Sequence, residues 1–185
     1  MTMDEIKLWD PFLRFNHWLL ATLFILEYWV LAGGDEPHEW VGYLAAGLVV
    51  ARVVWGFVGP RTAQFHNFLP TPSRLYRYFK EPENRYNPSA GHNPLGGLMI
   101  LLLLSLMFTT AVTGWMQELD RFWGEAWVQD LHEYLANILV GAVVLHITAI
   151  VLIQSKTDIP LIKPMITGKR KISVTKNGEN HNRER

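Results

Sequence analysis

The stretch WVQDLHEYLANILVGAVVLHITAIVLI, residues 127–153, decides the fold of this chain. From Leu135 onward it is almost wholly apolar, and it is long enough to cross a bilayer as a helix, which needs about 20 such residues. His132 and His146 interrupt it. They are 14 residues apart, or close to four turns of helix, so both imidazoles leave the same side, roughly 21 Å apart along the axis. One metal atom cannot bind both histidines, whereas two separate centres stacked across a membrane can.

The composition excludes several classes of protein and site. The 185 residues are 49% hydrophobic and 18% charged with a formal net charge of zero, so a general basic attraction to nucleic acid is not indicated. The chain has no cysteine, which excludes disulfides, thiolate iron–sulfur sites and covalently attached c-type haem. Any metal or cofactor must therefore be held by His, Met, carboxylate or backbone groups. Eight Trp and six Tyr fit aromatic belts at membrane interfaces.

Four apolar segments predict the architecture. They cover about residues 12–32, 38–58, 94–116 and 128–153, and short connections favour an all-α, integral membrane four-helix bundle over residues 1–168. The polar connection 59–93 contains SRLYRYFK, Ser73–Lys80, which predicts a short amphipathic helix on the membrane surface. Residues 169–185 form a short, charged tail that we expect to be disordered.

The distribution of basic residues predicts the orientation. Four crossings with both termini on one side place every Lys and Arg except Arg121 on that side or in helix ends near it. The positive-inside rule makes that side, with both termini, cytoplasmic. The two opposite loops are acidic and carry Asp35, Glu36, Glu39, Glu118, Asp120, Glu125, Asp130 and Glu133.

With this topology, the four helical histidines sort into two pairs by depth. His38 and His132 lie near the outer surface, and His17 and His146 lie in the cytoplasmic half. Each pair comes from two different helices, as a planar macrocycle with one axial imidazole on each face requires. A single membrane histidine more often forms hydrogen bonds or relays protons. Four at two matched depths favour two bis-histidine haems, because neutral imidazole binds iron well and a neighbour can hold its second nitrogen.

Two arginines are candidates for the haem propionates. Arg52 follows His38 by 14 residues, so it projects from the same face at the depth of the inner pair. A buried Arg needs an anion, and a propionate is a natural one. Arg14, one turn before His17, is the other candidate. For both, the alternative is an arginine that extends to the lipid headgroups.

Three further features carry candidate roles. His92, in GHNP before the third segment, could lie near the inner propionates or a quinone pocket, or could help to cap the helix with Asn93. Glu27 could carry protons at an outer quinol site or hydrogen-bond within the bundle. Small residues could let a flat cofactor approach a helix, or serve ordinary helix packing. They are Gly42, Gly47, Gly56, Gly96, Gly97, Gly114 and Gly141.

Several motifs together resemble one known family. WDPFLRFNHW, residues 9–18, is similar to the W-D-x-x-x-R-x-x-H-W opening of the bacterial cytochrome b561 and Ni,Fe-hydrogenase b-type cytochrome family. HEWVGY followed by RVVWGFVGP resembles its second helix, and GHNPLGGLM resembles the start of its third. The two histidines of the last helix also match. The resemblance covers about residues 8–153.

The resemblance implies a four-helix bundle in the bacterial inner membrane with two noncovalent b haems. It implies His17, His38, His132 and His146 as axial ligands. It also points to Arg14 and Arg52 near the propionates. Members of the family pass electrons between the quinone pool and a partner, or in some cases a small oxidant, so quinone or quinol is a further candidate cofactor.

We therefore predict transmembrane electron transfer between the quinone pool and a periplasmic redox partner such as a c-type cytochrome. The acidic outer loops suit a basic partner. Two alternatives are a quinone-linked oxidoreductase that acts directly on a small substrate such as superoxide, and a membrane-anchor cytochrome b subunit of a hydrogenase-like complex. The acidic loops disfavour an anionic substrate, because like charge lowers its local concentration. A haem-free transporter or metal permease with a histidine path is the alternative from another class, and whether the chain is itself an enzyme stays open.

Overall fold

A computed structural model describes residues 2–81, 93–157 and 159–174. In chain order, the elements are β1 (Thr2–Lys7), α1 (Pro11–Ile25), a π-helical segment (Leu26–Val30), α2 (Glu36–Val58), α3 (Phe65–Phe68), α4 (Pro72–Lys80), α5 (Pro94–Gln117), α6 (Ala126–Thr157), α7 (Ile162–Thr167) and β2 (Lys169–Val174). The chain is mostly helical, as predicted. The amphipathic helix expected at Ser73–Lys80 is confirmed as α4.

Local sequence explains where two of the long helices begin. Asp10 caps α1 by accepting a hydrogen bond from the Leu13 N–H at 3.0 Å. Asn93 caps α5 in the same way, accepting from the Gly96 N–H at 2.6 Å. Each cap is followed by proline, whose missing N–H costs nothing at the first position of a helix. The cap of α5 is therefore made by Asn93, and His92 lies outside the described residues.

Three helices are long and apolar enough to cross a membrane within the described residues. They are α2, α5 and α6, with 23, 24 and 32 residues and mean hydropathies of 1.8, 2.3 and 2.4. The first predicted crossing is divided between the 15 residues of α1 and the five of the π-helical segment. A fourth crossing and cytoplasmic termini stay predictions. Large apolar side chains on these helices are exposed, such as Phe57 and Val58 at 70%, as expected of surfaces that face lipid.

The long helices pack as a series of neighbours. Helix α5 packs against α6 and α2, and α2 packs against α1. The buried Asn16 of α1 donates from Nδ2 to the Leu48 carbonyl of α2 at 2.9 Å. Within the described residues, α6 packs only slightly against α1 and α2. Space therefore remains between the helices that carry the four histidines.

The chain ends form a structure that the sequence did not predict. Strand β1 pairs antiparallel with β2, from Thr2 opposite Val174 to Lys7 opposite Lys169. Gly168, in the left-handed region at φ 79°, links α7 to β2. The expected disorder of residues 169–185 is therefore wrong for Lys169–Val174, because these residues pair with the other end of the chain. Residues 175–185 lie outside the described part.

Candidate functional site

The outer histidines lie side by side. His38 is in the first turn of α2, and His132 is in the second turn of α6. Their ring centroids are 6.3 Å apart, and the ring planes are inclined by 74°. Two imidazoles on opposite sides of one metal atom need a similar separation, since each metal–nitrogen bond is about 2 Å long and the rest is the radius of two rings. The pair therefore fits axial ligation, although its ligand role stays a prediction.

Both outer rings have a neighbour at their Nδ1 atom. The Nδ1 of His132 lies 3.0 Å from the Thr110 carbonyl oxygen and 3.2 Å from Thr113 Oγ1. The Nδ1 of His38 lies 2.7 Å from Glu27 Oε2, a close contact that is not aligned as a hydrogen bond. Histidines that bind metals usually donate their other ring N–H to a carbonyl or carboxylate. The arrangement leaves Nε2 of each ring as the nitrogen for a metal.

A cavity of about 240 Å³ adjoins this pair. Most of its wall is apolar, and it is lined by both histidines, Glu27 and residues of α5 such as Gly114. A Cβ added at Gly114 would lie 3.2 Å from His132 Cε1. The small residue therefore lets α5 approach the imidazole closely, and the cavity begins where the two rings meet.

The inner histidines also lie near each other. His17 of α1 and His146 of α6 are close enough to interact electrostatically, so the two rings lie near each other in the bundle. Both side chains are partly buried. The Nδ1 of His17 is buried and has no hydrogen-bond partner among the described residues. The inner pair thus differs from the outer pair, in which both Nδ1 atoms have a close neighbour.

Arg52 is buried within the protein. Its side chain is 6% exposed, and Nη2 donates to the Ala63 carbonyl at 3.3 Å. The guanidinium lies 5.0 Å from the centroid of the Phe65 ring and interacts electrostatically with Asp10. Its Nη1 is buried and lacks a hydrogen-bond partner in the described part of the chain. That free N–H fits the anionic oxygen that the sequence predicted, and the role stays a prediction.

Arg14 contacts helix α7. Its Nη1 donates to the Ile166 carbonyl of α7 at 2.5 Å, and a Cβ added at Gly168 would lie 3.2 Å from the guanidinium. Trp18, one turn later, donates from Nε1 to the Met165 carbonyl at 3.0 Å. Arg14 therefore joins α1 to α7. Its Nε is buried without a partner among the described residues, so this N–H could bind the propionate that the sequence predicted.

The structure separates the small residues by role. A Cβ at Gly56 would overlap the Phe65 ring, and a Cβ at Gly97 would lie 2.5 Å from the Phe68 carbonyl oxygen. These two glycines serve packing of the α3 segment against α2 and α5. Gly47 has no atom within 4 Å of such a Cβ, and the same is true of Gly141.

Sequence reasoning missed the residues that hold the outer histidines. Thr110 and Thr113 are about one turn apart near the outer end of α5, at the depth of His132. That depth could have pointed to them. Nothing in the sequence indicated that Tyr28 of the π-helical segment donates its hydroxyl to Asn137 Oδ1 of α6 at 2.5 Å.

Comparison with known proteins gives one match. The family model described as prokaryotic cytochrome b561 matches residues 8–168, which include both histidine pairs and both arginines. No curated protein and no solved structure matches the chain.

Proposed function

The chain belongs to the prokaryotic cytochrome b561 family, and from this we propose that it is a dihaem cytochrome that carries electrons across the bacterial inner membrane. Membership makes it an integral membrane b-type cytochrome of electron transport. The proposal adds two haems, and it adds the quinone pool and a periplasmic redox protein, such as a c-type cytochrome, as the two partners.

The observation that carries the proposal is the outer histidine pair. His38 and His132 come from different helices, their rings are 6.3 Å apart, and each has a neighbour at Nδ1. They would hold one haem, and His17 with His146 would hold the other. Arg52 and Arg14 would each offer a buried N–H to a propionate.

Bound haem supplies one-electron iron chemistry, and the protein supplies ligation, orientation and charge. The outer imidazoles would present Nε2 to the haem, because their Nδ1 atoms face Glu27 and Thr110. Four crossings would bring His92 and the central loop to the cytoplasmic side, close to the inner pair. The outer loops would then face the periplasm, where their negative charge favours a basic protein over an anion such as superoxide.

A haem count and four single substitutions test the proposal. A pyridine haemochrome assay should give about two haems per chain, extractable by acid acetone. Alanine at His38 or His132 should remove one spectral component, and alanine at His17 or His146 should remove the other. His66→Ala is the matched control, because that histidine is exposed on α3 and should leave both components intact.

Two results would contradict the proposal. A single haem per chain would exclude the dihaem arrangement. Loss of the same spectral component from both His17→Ala and His38→Ala would show that the histidines are paired differently.

A further inference from the structure

The π-helical segment Leu26–Val30 brings two adjacent polar side chains into contact with neighbouring helices. Glu27 contacts His38 of α2, and Tyr28 donates to Asn137 of α6. A π-helical turn is rare and often occurs at functional sites, because it changes the direction of side chains that an α-helix would fix. The departure from α-helix therefore occurs where the first helix meets the outer histidine pair.

Glu27 is separate from the acidic outer loops. Its side chain is 17% exposed and lies within an apolar segment, where an acidic residue is costly and usually functional. Its Oε2 is 2.7 Å from His38 Nδ1, and its Oε1 is buried without a hydrogen-bond partner among the described residues. Gly42, on the turn after His38, lies beside this carboxylate, since a Cβ there would be in ordinary contact with Oε1 at 3.9 Å.

The neighbours of the histidines are not equivalent. His132 has two neutral groups at Nδ1, the Thr110 carbonyl and the Thr113 hydroxyl. The Nδ1 of His17 has no partner in the described part of the chain. Among the described residues, only His38 has a carboxylate beside its Nδ1 atom. A carboxylate beside Nδ1 makes the ring a stronger donor through Nε2, and its negative charge favours the more positive ferric state of a bound iron.

We propose that Glu27 is the positioning residue of the outer haem: it orients His38 with Nε2 toward the iron and lowers the midpoint potential of that centre relative to a protein without the carboxylate. This rests on the proposed dihaem function. The inner haem, whose ligands Glu27 does not contact, keeps its potential when Glu27 is changed.

A graded pair of variants with a matched control tests the proposal. Glu27→Gln keeps an oxygen acceptor without the charge, and Glu27→Ala removes both. Glu39→Gln removes a carboxylate that is next to His38 in sequence and lines the same cavity. Glu39 interacts electrostatically with His38 but has no hydrogen bond or ion pair to it among the described contacts. Loss of a supporting partner typically costs about 10–100-fold in metal affinity or activity.

The measurements are a potentiometric titration of the two α-bands and the EPR spectrum of the ferric protein. The outer midpoint potential should rise in Glu27→Gln and rise further in Glu27→Ala. A tenfold change in the ratio of ferric to ferrous affinity corresponds to about 59 mV for a one-electron couple. The inner potential should stay constant, Glu39→Gln should raise the outer potential less than Glu27→Gln does, and only the outer EPR signal should change as His38 reorients.

Each outcome decides the matter. A rise confined to the outer centre and larger than that of Glu39→Gln supports the role, as does loss of the outer band alone from Glu27→Ala. An outer potential that is unchanged or lower in both Glu27 variants overturns it, and so does an equal shift in Glu39→Gln. Absence of a second haem from the unmodified protein would instead refute the proposed function, which distinguishes the two failures.

Discussion

A methyl group added at Gly114 should weaken the binding of the outer haem and leave the binding of the inner haem unchanged. The Cβ of Gly114→Ala would lie 3.2 Å from His132 Cε1 and 3.5 Å from Nδ1. The first distance is tighter than nearly all Cβ contacts, so the imidazole must move by a few tenths of an ångström. Its freedom to move is small, because Nδ1 is within hydrogen-bond distance of the Thr110 carbonyl at 3.0 Å.

The cost follows from these two contacts. Turning the imidazole away from its preferred rotamer costs about 0.5–1.5 kcal/mol of binding free energy. Partial loss of one hydrogen bond costs a further amount of at most about 1 kcal/mol. A total of about 1–2 kcal/mol corresponds to a roughly 5–30-fold change in an equilibrium constant. We expect the affinity of the protein for the outer haem to fall by that factor. Alanine itself favours the helix by about 1 kcal/mol over glycine, so loss of the whole fold is not the expected result.

Haem transfer from the purified protein to an excess of a haem-scavenging apoprotein measures this effect. The outer α-band should decay faster in Gly114→Ala, while the inner band keeps its rate. Gly141→Ala is the control, because it gains the same helix propensity on α6 and its Cβ meets no atom within 4 Å. An unchanged outer rate, or equal acceleration by the control, would refute the proposed contact between Gly114 and a haem ligand.

Three further predictions concern charge and packing. Arg52→Gln should lower the inner midpoint potential and leave the outer one nearly constant, because a cation near the propionates favours the reduced state; a larger outer shift in a redox titration would contradict the assigned depth. Gly56→Ala should destabilise the protein by about 1–3 kcal/mol, since the added Cβ overlaps the Phe65 ring; thermal unfolding followed by absorbance, with Gly141→Ala as reference, measures this. Charge reversal at Asp120 and Glu125 should slow association with a basic periplasmic redox protein more than it shortens the complex's lifetime. Haem oxidation by that protein, followed by stopped flow, should also slow as salt is added, because the Debye length falls from about 30 Å at 0.01 M to about 10 Å at 0.1 M. A rate that does not depend on salt would instead indicate a membrane-embedded partner.

Apolar runs and capping residues were enough to predict most of the helices. Helices α2, α5 and α6 lie close to the predicted segments, because about 20 apolar residues form a signal that needs no knowledge of neighbours. The depths predicted for the histidines rest on the same local information. The motif around Arg14 and His17, with those of the other helices, was sufficient to identify the family.

Only the tertiary structure decided how the helices are rotated toward each other and what each polar side chain contacts. Arg14 contacts Ile166, 152 residues away, and β1 pairs with β2 from the other end of the chain. The carboxylate beside His38 comes from a π-helical turn, whose change of direction an α-helical periodicity does not predict. Hydropathy determines which segments avoid water, but a hydrogen bond depends on the rotation and register of two distant elements to within an ångström. The sequence alone therefore predicted the candidate ligands and their depth, and the packing of the helices determined which groups lie beside them.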